Sequence, residues 1–157
     1  QILEADLNIP QHAHAFIQLL NEYACDPMGG GKPLSEYARD NLVKELASRP
    51  SVHIILAFDG DVPAGLLTCV EGFSTFACRP LLNIHDAVVS AGYRGHGLSK
   101  KMLEAAESLA KKMGCCKLTL EVLEGNKVAQ AAYQSFGFRG YELDPQMGKA
   151  MFLEKRL

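Results

Sequence analysis

Apolar and polar positions along this chain switch between two periods, and the switches mark out its elements. Ala15, Phe16, Leu19, Leu20 and Tyr23 recur at helical spacing and predict a helix from Pro10 to about Ala24, with Pro10 and Gln11 suited to its first turn. Asp26 to Pro33 is a loop by its glycines and prolines. Ser35 is an N-cap candidate for a second helix running to about Ser48, before Pro50 stops it. Leu98, Met102, Leu103, Ala106, Leu109, Ala110 and Met113 fall on one face of a third helix, which Gly114 closes. A short fourth helix is expected from Asn126 to about Phe136, closed by Gly137.

Between the helices the pattern reads as strands: Ile2 to Ala5, Val52 to Phe58, Val62 to about Phe76, Leu81 to Val89, Cys116 to Val122, Phe138 to Leu143 and Ala150 to Leu157. Asp59-Gly60-Asp61 is a hairpin turn. Gly65 and Gly72 are candidate bulges, and Cys78-Arg79-Pro80 separates two long strands. The order is βααβββαβαββ. Strands that arrive first as a meander and later through a helix predict a mixed, mostly antiparallel α/β sheet with helices on both faces. The Leu81–Val122 crossover should be right-handed. No repeat or linker interrupts the pattern, so residues 1–157 are expected to form one domain.

The most informative stretch is Val88-Val89-Ser90-Ala91-Gly92-Tyr93-Arg94-Gly95-His96-Gly97-Leu98-Ser99, a strand that breaks into a glycine-rich turn and opens a helix. Such a turn gathers backbone N–H groups, and the helix adds its unpaired first amides and the positive end of its dipole. The combination is an anion site, with phosphate or pyrophosphate as the natural ligand.

Composition narrows the partners. The 157 residues are 48% hydrophobic with a formal net charge of −2, which supports a core and favours neither nucleic acid nor an anionic membrane. No apolar run approaches the roughly 20 residues of a membrane span. The first residues lack a basic-then-apolar leader pattern, and a cytoplasmic location is expected; as the chain opens on Gln1 rather than Met, the loss of a few residues ahead of it is also an expectation. The five cysteines, Cys25, Cys69, Cys78, Cys115 and Cys116, form no CxxC and no zinc-finger spacing with histidine. They are expected to be reduced thiols that mostly pack as small apolar groups, with Cys115-Cys116 packed at a strand start, and no metal site is expected.

Three phosphate-loop types compete. A Walker A loop fails because Pro33 follows Gly31-Lys32 and Asp26 stands where the first glycine belongs. A dinucleotide fingerprint fails because Lys100 occupies the place of its third glycine, late in the chain and after a meander. Arg94-Gly95-His96-Gly97-Leu98-Ser99 instead resembles the Q/R-x-x-G-x-G/A segment of the GCN5-related N-acetyltransferases, the GNAT family. Ile84-His85-Asp86-Ala87-Val88-Val89 resembles the family's hydrophobic-E-D-hydrophobic-x-V strand. Asn126-Lys127-Val128-Ala129-Gln130-Ala131-Ala132-Tyr133-Gln134-Ser135-Phe136-Gly137-Phe138 resembles its N-x-x-A-x-x-x-Y-x-x-x-G-F helix and strand. Ser99 and His85 depart from the pattern, His85 where many relatives carry Glu.

The resemblance implies the GNAT fold, acetyl-CoA as co-substrate without a metal, and acetyl transfer to a primary amine of a small molecule or a protein. It implies backbone contacts from Ala87, Val88 and Val89 to pantetheine. It also implies a pyrophosphate cradle from the amides of Gly95, His96, Gly97, Leu98, Ser99 and Lys100, with charge from Arg94. Asn126 is a helix N-cap and, by resemblance, also a pantetheine contact. Tyr133 lies two turns further on the same face and by resemblance protonates the CoA thiolate, a task suited to a phenol with a pKa near 10. An alkyl amine must lose a proton before attack, and His85, with a reference pKa near 6.5, is the preferred base. Asp86 should face the opposite side of the strand. Glu71 and Glu121 are weaker candidates, and Asp26 and Glu71 are candidates for attracting the acceptor's ammonium. No activated Cys or Ser is evident, so direct attack in a ternary complex is expected. The alternatives are an acyl-CoA-binding sensor without turnover and a transferase using another acyl-CoA such as succinyl-CoA. The resemblance also allows a homodimer.

Overall fold

The helical periodicities become helices close to the expected bounds. In the computed structural model, which describes residues 1–157, α1 spans Pro10–Cys25, α2 Glu36–Ala47, α3 Leu98–Lys112 and α4 Lys127–Phe136. Ser35 caps α2 by accepting from the Ala38 N–H at 3.1 Å. Gly114 closes α3 in the left-handed region, as expected of a residue without a Cβ, and the Cys115 N–H donates to Ala110 O at 2.9 Å.

The strands are β1 (Ile2–Glu4), β2 (Val52–Asp59), β3 (Val62–Ser74), β4 (Arg79–Val89) and β5 (Leu118–Leu120). They form one sheet in sequence order, antiparallel except for the parallel β4–β5 pair. The chain divides into two compact units, residues 1–120, which hold this sheet with α1 to α3, and residues 121–157, which hold α4.

In the first unit each sheet face has its own helices. Ile54, Leu56, Phe58, Leu66 and Val88 pack with Ala15, Phe16 and Leu19 of α1, and Leu42, Val43 and Leu46 of α2 lean on the same cluster. Phe16, Leu19, Leu56 and Leu66 are wholly buried, each stabilising the fold by about 1.5–3 kcal/mol. The opposite face, with Leu67, Leu82 and Ile84, is covered by α3 through Met102, Leu103 and Ala106.

Two bulges break the registers. One lies between Ala57 and Phe58, beside Gly65, as that glycine predicted; Gly72 pairs in register with Leu81 and marks no bulge. The other matters more. Thr68 pairs with Asp86 but Cys69 pairs with Ile84, so His85 is an extra residue in β4. Ile84 therefore faces α3, whereas Asp86 and Val88 face α1. The parallel pairing with β5 ends at Ile84–Leu120, just before this bulge, and β5 is three residues long where Cys116 to Val122 was expected.

The expected strands Phe138–Leu143 and Ala150–Leu157 do not form. Of strand pairing, this part of the chain holds a Glu142–Lys149 bridge and a bond from the Ala150 N–H to Tyr141 O, around a 3₁₀ turn over Pro145–Met147. A lone ribbon gains little pairing energy and buries no apolar face: Leu143, Met151, Phe152 and Leu153 are exposed. The cysteine reading also needs correction. All five are free thiols, but only Cys69 is buried, Cys115 is intermediate, and Cys25, Cys78 and Cys116 are exposed. No helix is long and apolar enough to cross a membrane.

Candidate active site

The site begins where β4 loses its neighbour. On one side β4 pairs with β3 through Val89; on the other, β5 pairs only with Leu82 to Ile84. From His85 to Val89 one backbone edge of β4 lies open, and an extended amide-bearing chain can add to such an edge as a strand would. Ala87, Val88 and Val89 lie on this stretch. Past Val89, a 3₁₀ turn over residues 91–93 and the loop through Gly97 lead into α3.

Gly95 and Gly97 have φ of 80° and 75°, a region costly for other residues, and nothing lies within 4 Å of where a Cβ would stand on either. The amides of Gly95, His96 and Gly97 donate to no group in the chain, and those of Leu98, Ser99 and Lys100 are the unpaired first amides of α3. His96 Nδ1 lies 2.8 Å from Arg94 O and braces the loop from within. The open edge and this cradle of free N–H groups fit the two amides and the pyrophosphate of coenzyme A. No three His, Cys, Asp or Glu side chains gather where they could hold a metal ion.

Arg94 is more constrained than a free phosphate-facing cation. Its Nε donates to Val89 O at 3.0 Å and its Nη2 to Asp26 Oδ2 at 3.3 Å. Asp26 in turn accepts the Met28 N–H at 2.9 Å and caps the 3₁₀ turn over residues 27–29. The Met28 N–H, and secondarily the Arg94 guanidinium, hold the Asp26 carboxyl below its ordinary range. Glu22 of α1 accepts the Ala91 N–H at 3.0 Å, and Tyr93 donates to Asp59 of β2 at 3.3 Å, so the turn leading into the loop is tied to α1 and to β2.

The His85 side chain is exposed at the bulge and makes no hydrogen bond. Glu71 pairs with Leu82, at the other end of β4 from the loop, and is not brought together with Asp26 and Arg94. Lys100 approaches Glu104 at 4.0 Å on the surface of α3. Three residues outside the sequence-based candidates join the α1 side of β4: Asp86, half-buried; Thr68, buried; and Tyr23, packed against the α1-face cluster. Burial, then the Asp86 and Asp26 carboxylates, push the Tyr23 phenol up. Asp86 stands at the D of the family-like strand motif, but the preference for His85 set it aside, and the regular alternation of Leu82, Ile84, Asp86 and Val88 hid the bulge that turns it to the α1 face.

In the second unit Asn126 caps α4 by accepting the Ala129 N–H at 3.2 Å, as its position predicted. Tyr133 is half-buried, its ring edge-on to Phe138 with centroids 5.9 Å apart. Gly137 ends the helix with φ 115°, and the Phe138 N–H reaches back to Tyr133 O at 3.0 Å.

A sequence model of the Acetyltransferase (GNAT) family matches residues 16–138, and the chain belongs to that family. It is 27% identical over 129 residues to the thialysine N-epsilon-acetyltransferase of Caenorhabditis elegans, covering 82% of this chain and 78% of that protein. It is 29% identical over 126 residues to the glucosamine 6-phosphate N-acetyltransferase of Arabidopsis thaliana, covering 78% and 81%. Among solved structures, aminoglycoside N-acetyltransferase AAC(6')-Iy in complex with CoA superposes with a TM-score of 0.76 at 17% identity, over 100% of this chain and 95% of the other. The chain is thus an enzyme of the acetyltransferase class.

Proposed function

We propose that this protein moves the acetyl group of acetyl-CoA to a primary amine of a small molecule or protein, by direct attack in a ternary complex. The observation that carries the reading is the open β4 edge from His85 to Val89 running into the cradle of free amides at Gly95 to Gly97. Ala87, Val88 and Val89 bind pantetheine through their backbones, and the amides from Gly95 to Lys100 receive the pyrophosphate. The family match over residues 16–138 runs from α1 through α4, which supports treating residues 1–157 as one functional domain.

In the reaction the neutral amine nitrogen attacks the thioester carbonyl, a C–N bond forms and the C–S bond breaks. The amine's proton passes to a base, with His85 the candidate at the exposed bulge. The thiolate takes a proton from Tyr133, a role that rests on its motif position in α4. Free N–H groups on the β4 edge near Val88 stabilise the developing carbonyl charge. Asn126 contributes a polar contact to pantetheine besides its cap. The relatives' acceptors are a lysine analogue, an amino sugar phosphate and an aminoglycoside, which supports an amine acceptor without choosing one.

The test is a titration of acetyl-CoA, succinyl-CoA and CoA by calorimetry, then an amine panel followed by free-thiol detection. Acetyl-CoA should bind and at least one amine should release CoA; failure of every CoA species to bind overturns the reading. Binding without turnover across the panel would instead identify an acyl-CoA sensor. Tyr133→Phe should lower kcat by about a hundredfold, as expected for loss of a general acid, with acetyl-CoA affinity unchanged.

A further inference from the structure

Asp26 follows α1 and engages a different group with each carboxylate oxygen. Oδ1 accepts the Met28 N–H at 2.9 Å and caps the 3₁₀ turn over residues 27–29. Oδ2 accepts from Arg94 Nη2 at 3.3 Å, across 68 positions of the chain. The sequence alone marked Asp26 as a candidate for attracting the acceptor's ammonium. In the fold an ammonium would have to compete with a guanidinium already in place, for a carboxylate whose side chain is 25% exposed.

The turn does not need the second oxygen. Asp26 O accepts the Gly29 N–H at 2.8 Å and the Gly31 N–H at 3.0 Å, and the Lys32 N–H reaches Ala24 O at 3.0 Å. A Cβ on Gly29 would overlap the Tyr23 carbonyl, so the turn sits directly on the end of α1. With Oδ1 on Met28, residues 26–32 are ordered without Arg94. The contact between Oδ2 and Arg94 therefore acts on the arginine.

The place of Arg94 gives that contact a purpose. The Ser90 N–H donates to Ala64 O at 3.0 Å, so residues 64 and 90 are a bonded pair. Bonded and non-bonded pairs alternate along an antiparallel ladder, so the adjoining Gly65–Val89 pair turns its backbone groups away from the partner strand. The Val89 carbonyl thus lies on the open edge of β4, at its end, and it accepts from Arg94 Nε at 3.0 Å. One side of the guanidinium is held between that edge and the Asp26 turn. A guanidinium carries five N–H donors, and these contacts use two of them. The rest, on Nη1 and Nη2, stay open on a half-exposed side chain, and the cradle begins at the next residue, Gly95.

We propose that Asp26 is a positioning residue for the cofactor: it holds the Arg94 guanidinium beside the cradle, with its free N–H groups set for the pyrophosphate of CoA. A planar fork donates to two phosphate oxygens at once, and fixing it beforehand removes part of the ordering cost at binding. The inference rests on the acetyl-transfer reading for its ligand but makes a separate claim: Asp26 serves the cofactor and not the acceptor amine.

Asp26→Asn tests it, because it separates the two contacts. The new Oδ1 still accepts the Met28 N–H, whereas Nδ2 presents N–H groups to a guanidinium that has nothing to accept them. The competing roles differ in sign. Positioning raises the acetyl-CoA Kd, by about three- to tenfold for one long side chain that must now be ordered at binding. Simple removal of a negative charge beside an anion lowers that Kd. An acceptor role leaves it unchanged and raises the amine KM. In an Arg94→Gln background Asp26→Asn should change the acetyl-CoA Kd less than twofold, since the group it positions is gone. For any amine that is acetylated, kcat and amine KM should stay within twofold. Tm should stay within about 2 °C, because an exposed ion pair adds little stability. Asp26→Ser, whose hydroxyl can cap the turn but is too short for Arg94, should reproduce the effect. The inference is overturned if both variants raise the acetyl-CoA Kd less than threefold, if the loss persists at twofold or more in Arg94→Gln, or if the amine KM rises instead. The two readings fail separately. A parent chain that binds no CoA species sinks acetyl transfer, whereas a parent and variants that bind acetyl-CoA equally sink only the positioning role.

Discussion

Gly97→Ala separates the backbone role of the loop from its ligand role. Gly97 has φ 75° and nothing within 4 Å of a Cβ built on it, so the substitution clashes with no protein atom. Its cost is conformational: an L-residue in the left-handed region loses about 1–2 kcal/mol, partly offset by a stiffer unfolded chain. A net loss of about 1 kcal/mol should lower Tm by about 2–4 °C at this chain length. The methyl group would also occupy the space between the free loop amides, so acetyl-CoA affinity should fall at least tenfold, or about 1.4 kcal/mol. Gly114→Ala is the matched control. Its φ is 74°, its Cβ is equally free, and the 15 residues of α3 separate it from Gly97 by about 22 Å. It should lose the same stability and no acetyl-CoA affinity. Gly92→Ala, outside the left-handed region and also free of contacts, should change neither. Thermal melts and calorimetry on the three variants decide the matter. If Gly97→Ala melts early like Gly114→Ala yet binds acetyl-CoA within twofold of the parent, the loop is an ordinary turn and the cradle reading is refuted.

Gly65→Ala should destabilise by about 1–3 kcal/mol, because its Cβ would stand 2.7 Å from Met102 Sδ and 3.1 Å from Val88 O; a chemical melt combining it with Met102→Leu should show the two changes to be non-additive. Thiol titration in native buffer at pH 8 should count Cys25, Cys78 and Cys116 promptly, whereas Cys69, its thiol pushed up to about 12 chiefly by burial and then by Asp86 and Glu4, should react only in denaturant; prompt labelling of Cys69 would contradict the packing under α3. Because the folded Asp26 carboxyl lies below its ordinary 3.8, the order it gives residues 26–29 is present at neutral pH and lost as pH falls through that lowered value. The Met28 amide should therefore titrate below pH 3.8 by NMR in the parent and not in Asp26→Asn.

Helix ends were legible because their causes are local. Ser35 and Asn126 accept the amides three residues on, as N-caps do, and Gly114 and Gly137 adopt the left-handed conformation that closes α3 and α4. The meander was legible for the same reason, since Asp59-Gly60-Asp61 and the flanking alternation fix the β2–β3 hairpin. The glycine loop announced itself through Gly95 and Gly97, which stand between a strand and a helix and both take positive φ.

What the sequence by itself determined, then, is whatever depends on neighbours a few residues away: element types, caps, the hairpin, and the glycine loop with its free amides. Tertiary structure alone decided which side chains meet. The extra residue at His85 is set by pairing with β3, and it turns Asp86 towards α1 although the alternation through Ile84 and Val88 looks regular. The Arg94–Asp26 contact joins residues 68 apart in the chain. The last two alternating segments show the same limit from the other side. Period-two patterning makes a strand only where a partner edge and an apolar face receive it, and residues 139–157 leave their apolar side chains exposed around a single bridge.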